Sequence, residues 1–210
     1  MGNYRQLIES LKRDGYLKTP AIIDAFLKIR REDFLPEDLK TEAAFNRPVL
    51  IGGGQTNSQP LTVALMLELL QPQAGQKILD AGSGSGWTSA LLAEIVGDRG
   101  KVFAVERIDK IKQFGERNIG KYGFIKEGRV IVLNKDSYLG LPEEAPFDRI
   151  LGSAALPEIP QTWKQQLKIG SVIVAPVDDI IYKLTKTSEN KFEEEKFPGF
   201  VFVPMIKGKN

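Results

Sequence analysis

Apolar residues return every three or four positions through the N-terminal part of the chain, and later gather in short blocks separated by helical stretches. Tyr4, Leu7, Ile8 and Leu11 share one helical face, and Asp14-Gly15 ends the run. Thr19-Pro20 sets a capping residue before a proline suited to the first helical turn. Ile22, Ile23, Phe26, Leu27 and Ile29 form the apolar face that follows. Arg30-Arg31-Glu32-Asp33 closes this helix and reads as solvated charge at its end. A third short helix is expected over 37–44, then a loop with Pro48 and Gly52-Gly53-Gly54.

The pattern changes from residue 59. Residues 59–70 read as a buried helix. Short apolar blocks predict strands over 77–81, 101–105, 129–133, 147–151 and 171–175, and helices over 87–96, 109–122 and 159–167 lie between them. Such alternation implies a mainly parallel sheet covered on both faces. Two closing strands, one of them antiparallel, are expected over 180–187 and 200–206. The charged stretch 189–196 would connect them, with Glu193-Glu194-Glu195 as a solvated turn. Trp163 and the phenylalanines at 192, 197, 200 and 202 read as core and strand packing, and Lys207 and Lys209 as a solvated tail.

Composition narrows the chemistry. Among 210 residues there are 29 Lys and Arg against 27 Asp and Glu, a net charge of +2, which gives no drive toward nucleic acid or membrane. There is no Cys and no His, so disulfides, thiolate nucleophiles, Cys or His zinc sites, Ser-His-Asp triads and imidazole bases are excluded. A reaction that needs no proton removed near neutrality suits what remains. Nothing suggests a metal. Residues 1–12 are amphipathic rather than signal-like, and the apolar run 61–70 is too short to span a bilayer, so a cytoplasmic location is expected.

The strongest local signal is Ile78-Leu79-Asp80-Ala81-Gly82-Ser83-Gly84-Ser85-Gly86-Trp87-Thr88. It sets a glycine-rich turn between a strand and a helix, where the backbone can approach a ligand and free N–H groups face it. The spacing is G-x-G-x-G rather than the dinucleotide G-x-G-x-x-G. It resembles motif I of class I S-adenosylmethionine-dependent methyltransferases. Glu106 directly follows the strand over 101–105, where a carboxylate can accept bonds from ribose hydroxyls. Asp136 follows the next strand, where this class commonly places an acidic residue near the adenine amino group. Trp87 opens the motif helix and reads either as core or as a cofactor contact.

The preceding segment is more specific. Pro48-Val49-Leu50-Ile51-Gly52-Gly53-Gly54-Gln55-Thr56-Asn57-Ser58-Gln59-Pro60 resembles the signature of the protein-L-isoaspartate O-methyltransferase family. The resemblance continues in Val105-Glu106-Arg107-Ile108, in the stretch 141–150, in Ser153-Ala154-Ala155 and in Phe202-Val203-Pro204. The chain departs from the family pattern at Gly53, Asn57, Leu61 and Gly152, which read as changes on the acceptor side.

The resemblance implies an α/β fold of the class I methyltransferase (Rossmann-like) type. That fold has a mainly parallel seven-stranded sheet with helices on both faces, here with an N-terminal helical cap and a C-terminal β-rich segment. The expected organisation is one domain over 1–210, with cap and substrate loop at 1–58, cofactor core at 59–176 and closing strands at 177–210. The implied cofactor is S-adenosyl-L-methionine, with S-adenosyl-L-homocysteine as product. Asp80, Gly82, Ser83, Gly84, Gly86, Glu106, Arg107 and Asp136 would lie on its side of the site. Gln55, Thr56, Ser58, Ser153 and Val203 would face the substrate, with Ser58 aiming its carboxylate at the methyl group. The implied partners are isoaspartyl proteins or peptides, met by a monomer, with no nucleic acid and no membrane. Two other readings stand beside this one: a methyltransferase with a different acceptor, nucleic acid among them, and a catalytically silent cofactor-binding module.

Overall fold

The structure, a computed structural model, describes residues 3–205 and residue 208. The expected strand end at Ile206 and the tail lysines Lys207 and Lys209 lie outside the described residues.

Helix α1 (Tyr4–Arg13) starts where Asn3 accepts from the Arg5 N–H and Gln6 reaches back to the Asn3 N–H. Helix α2 (Pro20–Lys28) begins at proline as expected, but Thr19 does not cap it. The Thr19 hydroxyl instead donates to Glu68 at 2.7 Å, and Glu68 also accepts from the Lys18 and Thr19 N–H groups. That carboxylate therefore pins the cap to α3 (Pro60–Leu70). The expected third helix forms as a 3-10 helix, Glu37–Ala44, after a shorter one at Arg31–Phe34. The expected glycine loop is a hairpin, β1 (Val49–Gly52) against β2 (Gln55–Asn57).

The main sheet comprises β3 (Lys77–Ala81), β4 (Lys101–Val105), β5 (Val130–Leu133), β6 (Phe147–Gly152), β7 (Leu167–Val177), β8 (Ile180–Ser188) and β9 (Lys191–Pro198). Its order is β5-β4-β3-β6-β7-β8-β9, parallel through β7 and antiparallel at β8 and β9. Alternate strand residues point to opposite faces. Ile78, Val102, Ala104 and Leu151 pack with α1 to α3 and with α4 (Trp87–Val96), while Ile119 of α5 (Asp109–Gly120) joins them. Leu79, Phe103, Ile150 and Ile173 pack on the other face around Trp163 of α6 (Gln161–Gln165). Among the described residues, no helix is long and apolar enough to cross a membrane.

The C-terminal reading needs correction. The stretch read as a charged connection is itself β9, and Glu193 to Glu195 are strand residues rather than a turn. An edge strand needs no continuous apolar run, and its charge discourages pairing with other chains. Glu195 pairs with Lys183 on β8 at 2.7 Å. Residues 200–205 form no strand. They cross back over the end of β6, where the Ala155 N–H donates to the Val203 carbonyl and the Met205 N–H to the Ala155 carbonyl.

Candidate active site

The chain runs outward from β3 through β4 to β5, then returns to the other side of β3 as β6. A crevice is expected outside the strand ends at such a reversal. A cleft opens there, lined by Gly82 and Gly84 after β3, by Glu106, Arg107 and Ile108 after β4, by Ser137 after β5 and by Ser153 and Ala154 after β6. Gln55, Thr56 and the segment Val203, Pro204 and Met205 complete it.

Glu106 is buried, and its carboxylate accepts from the Ile108 N–H at 2.8 Å and the Gly84 N–H at 3.1 Å. A carboxylate has about four acceptor sites, so capacity remains for hydroxyls of a ligand. Burial raises its pKa, and the backbone N–H groups oppose that shift. Asn134 donates to the carbonyls of Glu106 and Arg107, which holds the turn in place.

The three motif glycines divide their work. Gly82 and Gly84 face the cleft. Gly86, with φ 84°, faces α5: a Cβ there would stand 2.7 Å from Ile119 and 2.9 Å from the Gly115 carbonyl. Gly115, which the sequence did not single out, matches it, since its own Cβ would meet the Gly84 carbonyl at 2.6 Å. The small size of Gly86 therefore serves helix packing.

Asp80 stands behind the cleft. It is fully buried and lines no part of the cleft. Its carboxylate accepts from Ser89 Oγ at 2.6 Å and Ser153 Oγ at 3.1 Å, so it acts behind the cleft by holding Ser153. Burial pushes Asp80 up to about 6. Asp136 lies beside the cleft, in an apolar depression shared with Arg107, Leu139 and Leu141. Its carboxylate accepts from the Tyr138 and Gly208 N–H groups, so it caps a 3-10 turn and holds the C-terminal segment.

A second groove adjoins the cleft. Tyr16, Pro48, Ser58, Leu61 and residues 199–203 line it, and no Asp, Glu, Lys or Arg does among the described residues. Thr56, Ser153 and Val203 line both the groove and the cleft. Ser58 also reaches a small recess with Gly82, Ser83, Gly84 and Trp87. The structure thus brings Gln55, Thr56, Ser58, Ser153 and Val203 to one junction with Gly82, Ser83, Gly84, Glu106 and Arg107. Ile108, Ser137, Ala154 and Met205 belong there too; Ile108 and Ala154 fall in stretches that carry the family resemblance, whereas Ser137 and Met205 had no signal of their own in the sequence.

Of the departures from the family pattern, Gly152 sits in the core, while Asn57 ends β2 beside the small recess that Thr56, Ser58 and Ser153 also line. Gly152 is pressed against the far core: its Cβ would meet Ala175 at 2.7 Å and Trp163 at 3.0 Å. Asn57 is buried beneath the hairpin. Arg31, expected in solvent, is fully buried against Trp87, with its centre 5.5 Å from the ring. Trp87 is accordingly core, in edge contact with Phe26, although it also borders the small recess.

A glycine turn entering a helix, a carboxylate at the end of the adjacent strand and a cleft at the reversal of this sheet define a class I methyltransferase fold. The chain belongs to the protein-L-isoaspartate(D-aspartate) O-methyltransferase family, whose pattern it matches over residues 2–210. It is 40% identical to the protein-L-isoaspartate O-methyltransferase of Methanopyrus kandleri over 205 residues, covering 96% of this chain and 90% of the relative. Identity to the Ignicoccus hospitalis protein of the same name is 36%, covering 97% of each. A crystal structure from Plasmodium falciparum, of a protein assigned to this activity and bound to S-adenosyl-L-homocysteine, has the same fold. Its TM-score is 0.88 at 24% identity, covering 99% of this chain and 100% of that one. A second structure, named protein-L-isoaspartate O-methyltransferase, gives 0.87 at 28% identity, covering 98% and 66%.

Proposed function

We propose that this protein transfers a methyl group from S-adenosyl-L-methionine to the free α-carboxylate of L-isoaspartyl residues in damaged proteins or peptides. The methyl ester formed opens a route through a succinimide back to aspartate. The observation that carries this reading is the junction: Thr56, Ser153 and Val203 line both the cleft and the groove, so an acceptor in the groove meets a cofactor in the cleft.

The cleft suits the cofactor. Glu106 has acceptor capacity for the ribose hydroxyls, and Gly82 and Gly84 present backbone without side chains to the methionine part. Arg107, Ser137 and the neighbouring depression with Asp136 would hold the adenine end. When bound, the cofactor supplies an electrophilic methyl group on a sulfonium, which leaves as a neutral thioether.

The chain's own residues have a positioning task. An acceptor carboxylate has a pKa near about 4 and is already ionised at neutral pH, so no base need remove a proton. Tyr16 is the one titratable side chain among the described residues lining the groove. Ser58 and Thr56 offer hydroxyl donors there, neutral groups that orient a carboxylate without locking it in an ion pair. The segment 199–203 walls the groove, where it would help a bound acceptor displace water from the junction. Ser153, held by Asp80, donates its backbone N–H to the Ala81 carbonyl and so stays fixed between the two sites. The same reading keeps the protein a cytoplasmic monomer, and its lack of cysteine agrees with that compartment.

The test is methyl transfer from labelled S-adenosyl-L-methionine to two matched peptides, one isoaspartyl and one aspartyl. Base-labile label on the isoaspartyl peptide alone is expected. Equal labelling of both, or of neither with cofactor binding intact, overturns the assigned acceptor.

A further inference from the structure

Arg31 carries a charge into the interior, and its partners there are neutral. Nε donates to Asn57 Oδ1 at 2.7 Å. Nη1 donates to the Phe45 carbonyl at 2.9 Å, and Nη2 to the carbonyls of Arg47 at 2.7 Å and Ser58 at 3.1 Å. Carbonyl dipoles and the face of Trp87 stand in for a counter-ion. Burial lowers the guanidinium to about 10, so it stays charged at neutral pH. One side chain therefore gathers the strand that enters the hairpin and the strand that leaves it.

Asn57 extends this anchor. Its Oδ1 is taken by Arg31, and its Nδ2 donates to Ser85 Oγ at 3.0 Å. Ser85 is buried in the glycine turn, between Gly84 at the cleft and Gly86 at α5, and its carbonyl accepts from Asn118 of α5 at 3.2 Å. An amide supplies an acceptor at one end and a donor at the other. An apolar side chain at this position could make neither bond. The residue next along the chain is Ser58.

We propose that the Arg31–Asn57–Ser85 chain couples the acceptor loop to the cofactor loop, making Arg31 and Asn57 positioning residues for methyl transfer. Asn57 and the Ser58 carbonyl are both held by Arg31, so the Ser58 hydroxyl keeps a set distance from the glycine turn. A ligand that settles the glycine turn also settles the 42–48 segment, although that segment lines no part of the cofactor cleft. The kinetic arm of the test rests on the function proposed above; the binding arm does not.

Three variants separate the links. Asn57→Leu removes both bonds. Ser85→Ala removes only the outer one. Asn57→Asp keeps an acceptor for Arg31 and lets the Ser85 hydroxyl turn to donate. For the isoaspartyl peptide, Asn57→Leu and Ser85→Ala are expected to lower kcat about tenfold to a hundredfold, the scale of a misplacement of about 1 Å, with KM and the Kd of S-adenosyl-L-homocysteine within about threefold. Asn57→Asp is expected to recover kcat to within about threefold of the parent protein. Hydrogen exchange supplies the second readout. S-adenosyl-L-homocysteine should slow amide exchange over 42–48 in the parent protein and in Asn57→Asp, and leave it unchanged in the other two. A kcat loss that merely tracks the folded fraction, an Asp variant as impaired as the Leu variant, or an exchange response that survives Ser85→Ala overturns the proposal. If the parent protein methylates neither peptide, the function reading fails, and the exchange response still decides the coupling.

Discussion

Removing the charge of Asp80 tests how the core tolerates a carboxylate. Asp80 lies next to the end of β3 with no exposed surface, and its carboxylate accepts from the hydroxyls of Ser89 and Ser153. Desolvation is the main cause that raises its pKa from 3.8 to about 6, the two hydroxyls oppose it, and the charge of Glu106 adds to it. The folded protein thus keeps a proton that the unfolded chain releases. Its contribution to stability is full below the unfolded value and is lost as pH rises through the folded one. At ~1.4 kcal/mol per pKa unit, the ionised form costs ~3 kcal/mol above that window. Asp80→Asn keeps the shape and both hydroxyl partners, whose protons can rotate to suit, and removes the charge. Urea unfolding of parent and variant should then show the parent losing ~2 kcal/mol relative to the variant between about pH 4.5 and about pH 7.5. Taking the difference cancels carboxylates not coupled to Asp80, such as Asp148, which is shifted downward. Parallel pH curves, or a variant that loses ground as pH rises, would refute the desolvation argument.

Other expectations follow from the same geometry. Gly86→Ala must hold φ 84° and place a Cβ 2.7 Å from Ile119. The backbone and overpacking costs sum to about 2–5 kcal/mol in denaturant unfolding, and a loss under about 1 kcal/mol would mean the α5 contact yields freely. Glu106→Ala should weaken S-adenosyl-L-homocysteine binding by about 1–3 kcal/mol in calorimetry, and a change under about threefold would count against a ribose role. Ser58→Ala should reduce turnover far more than cofactor affinity, whereas equal losses would remove Ser58 from the acceptor side. Because no Asp, Glu, Lys or Arg among the described residues lines the groove, the acceptor KM should change less than about twofold between about 0.05 and 0.5 M salt. A steep rise with salt would reveal a cationic contact.

Much of the core was legible without coordinates. The strands at Lys77–Ala81 and Lys101–Val105 and the helix at Trp87–Val96 fall where the pattern puts them. Each is a local run, bounded by glycine or charge, whose burial follows from its own residues. The glycine turn and Glu106 were visible for a related reason: they sit at strand ends, and position in a βα unit fixes where they face.

Identity of partners is a different kind of information. Arg31 resembles any helix-end charge until Asn57, 26 residues away, and the carbonyls around it are brought into reach. The charged strand at Lys191–Pro198 is a strand only because β8 offers it an edge. Gly82, Gly84 and Gly86 look alike in the sequence; the packing of α5 decides which two face the cleft and which one admits a helix. The sequence alone determined the class of sheet, the cofactor turn and the family, because those depend on local spacing. Only the tertiary structure decided which polar groups are buried, what holds them and how the acceptor loop is fastened to the cofactor loop. A buried hydrogen bond is a relation between distant residues, and its free energy exists only once the fold has brought them together.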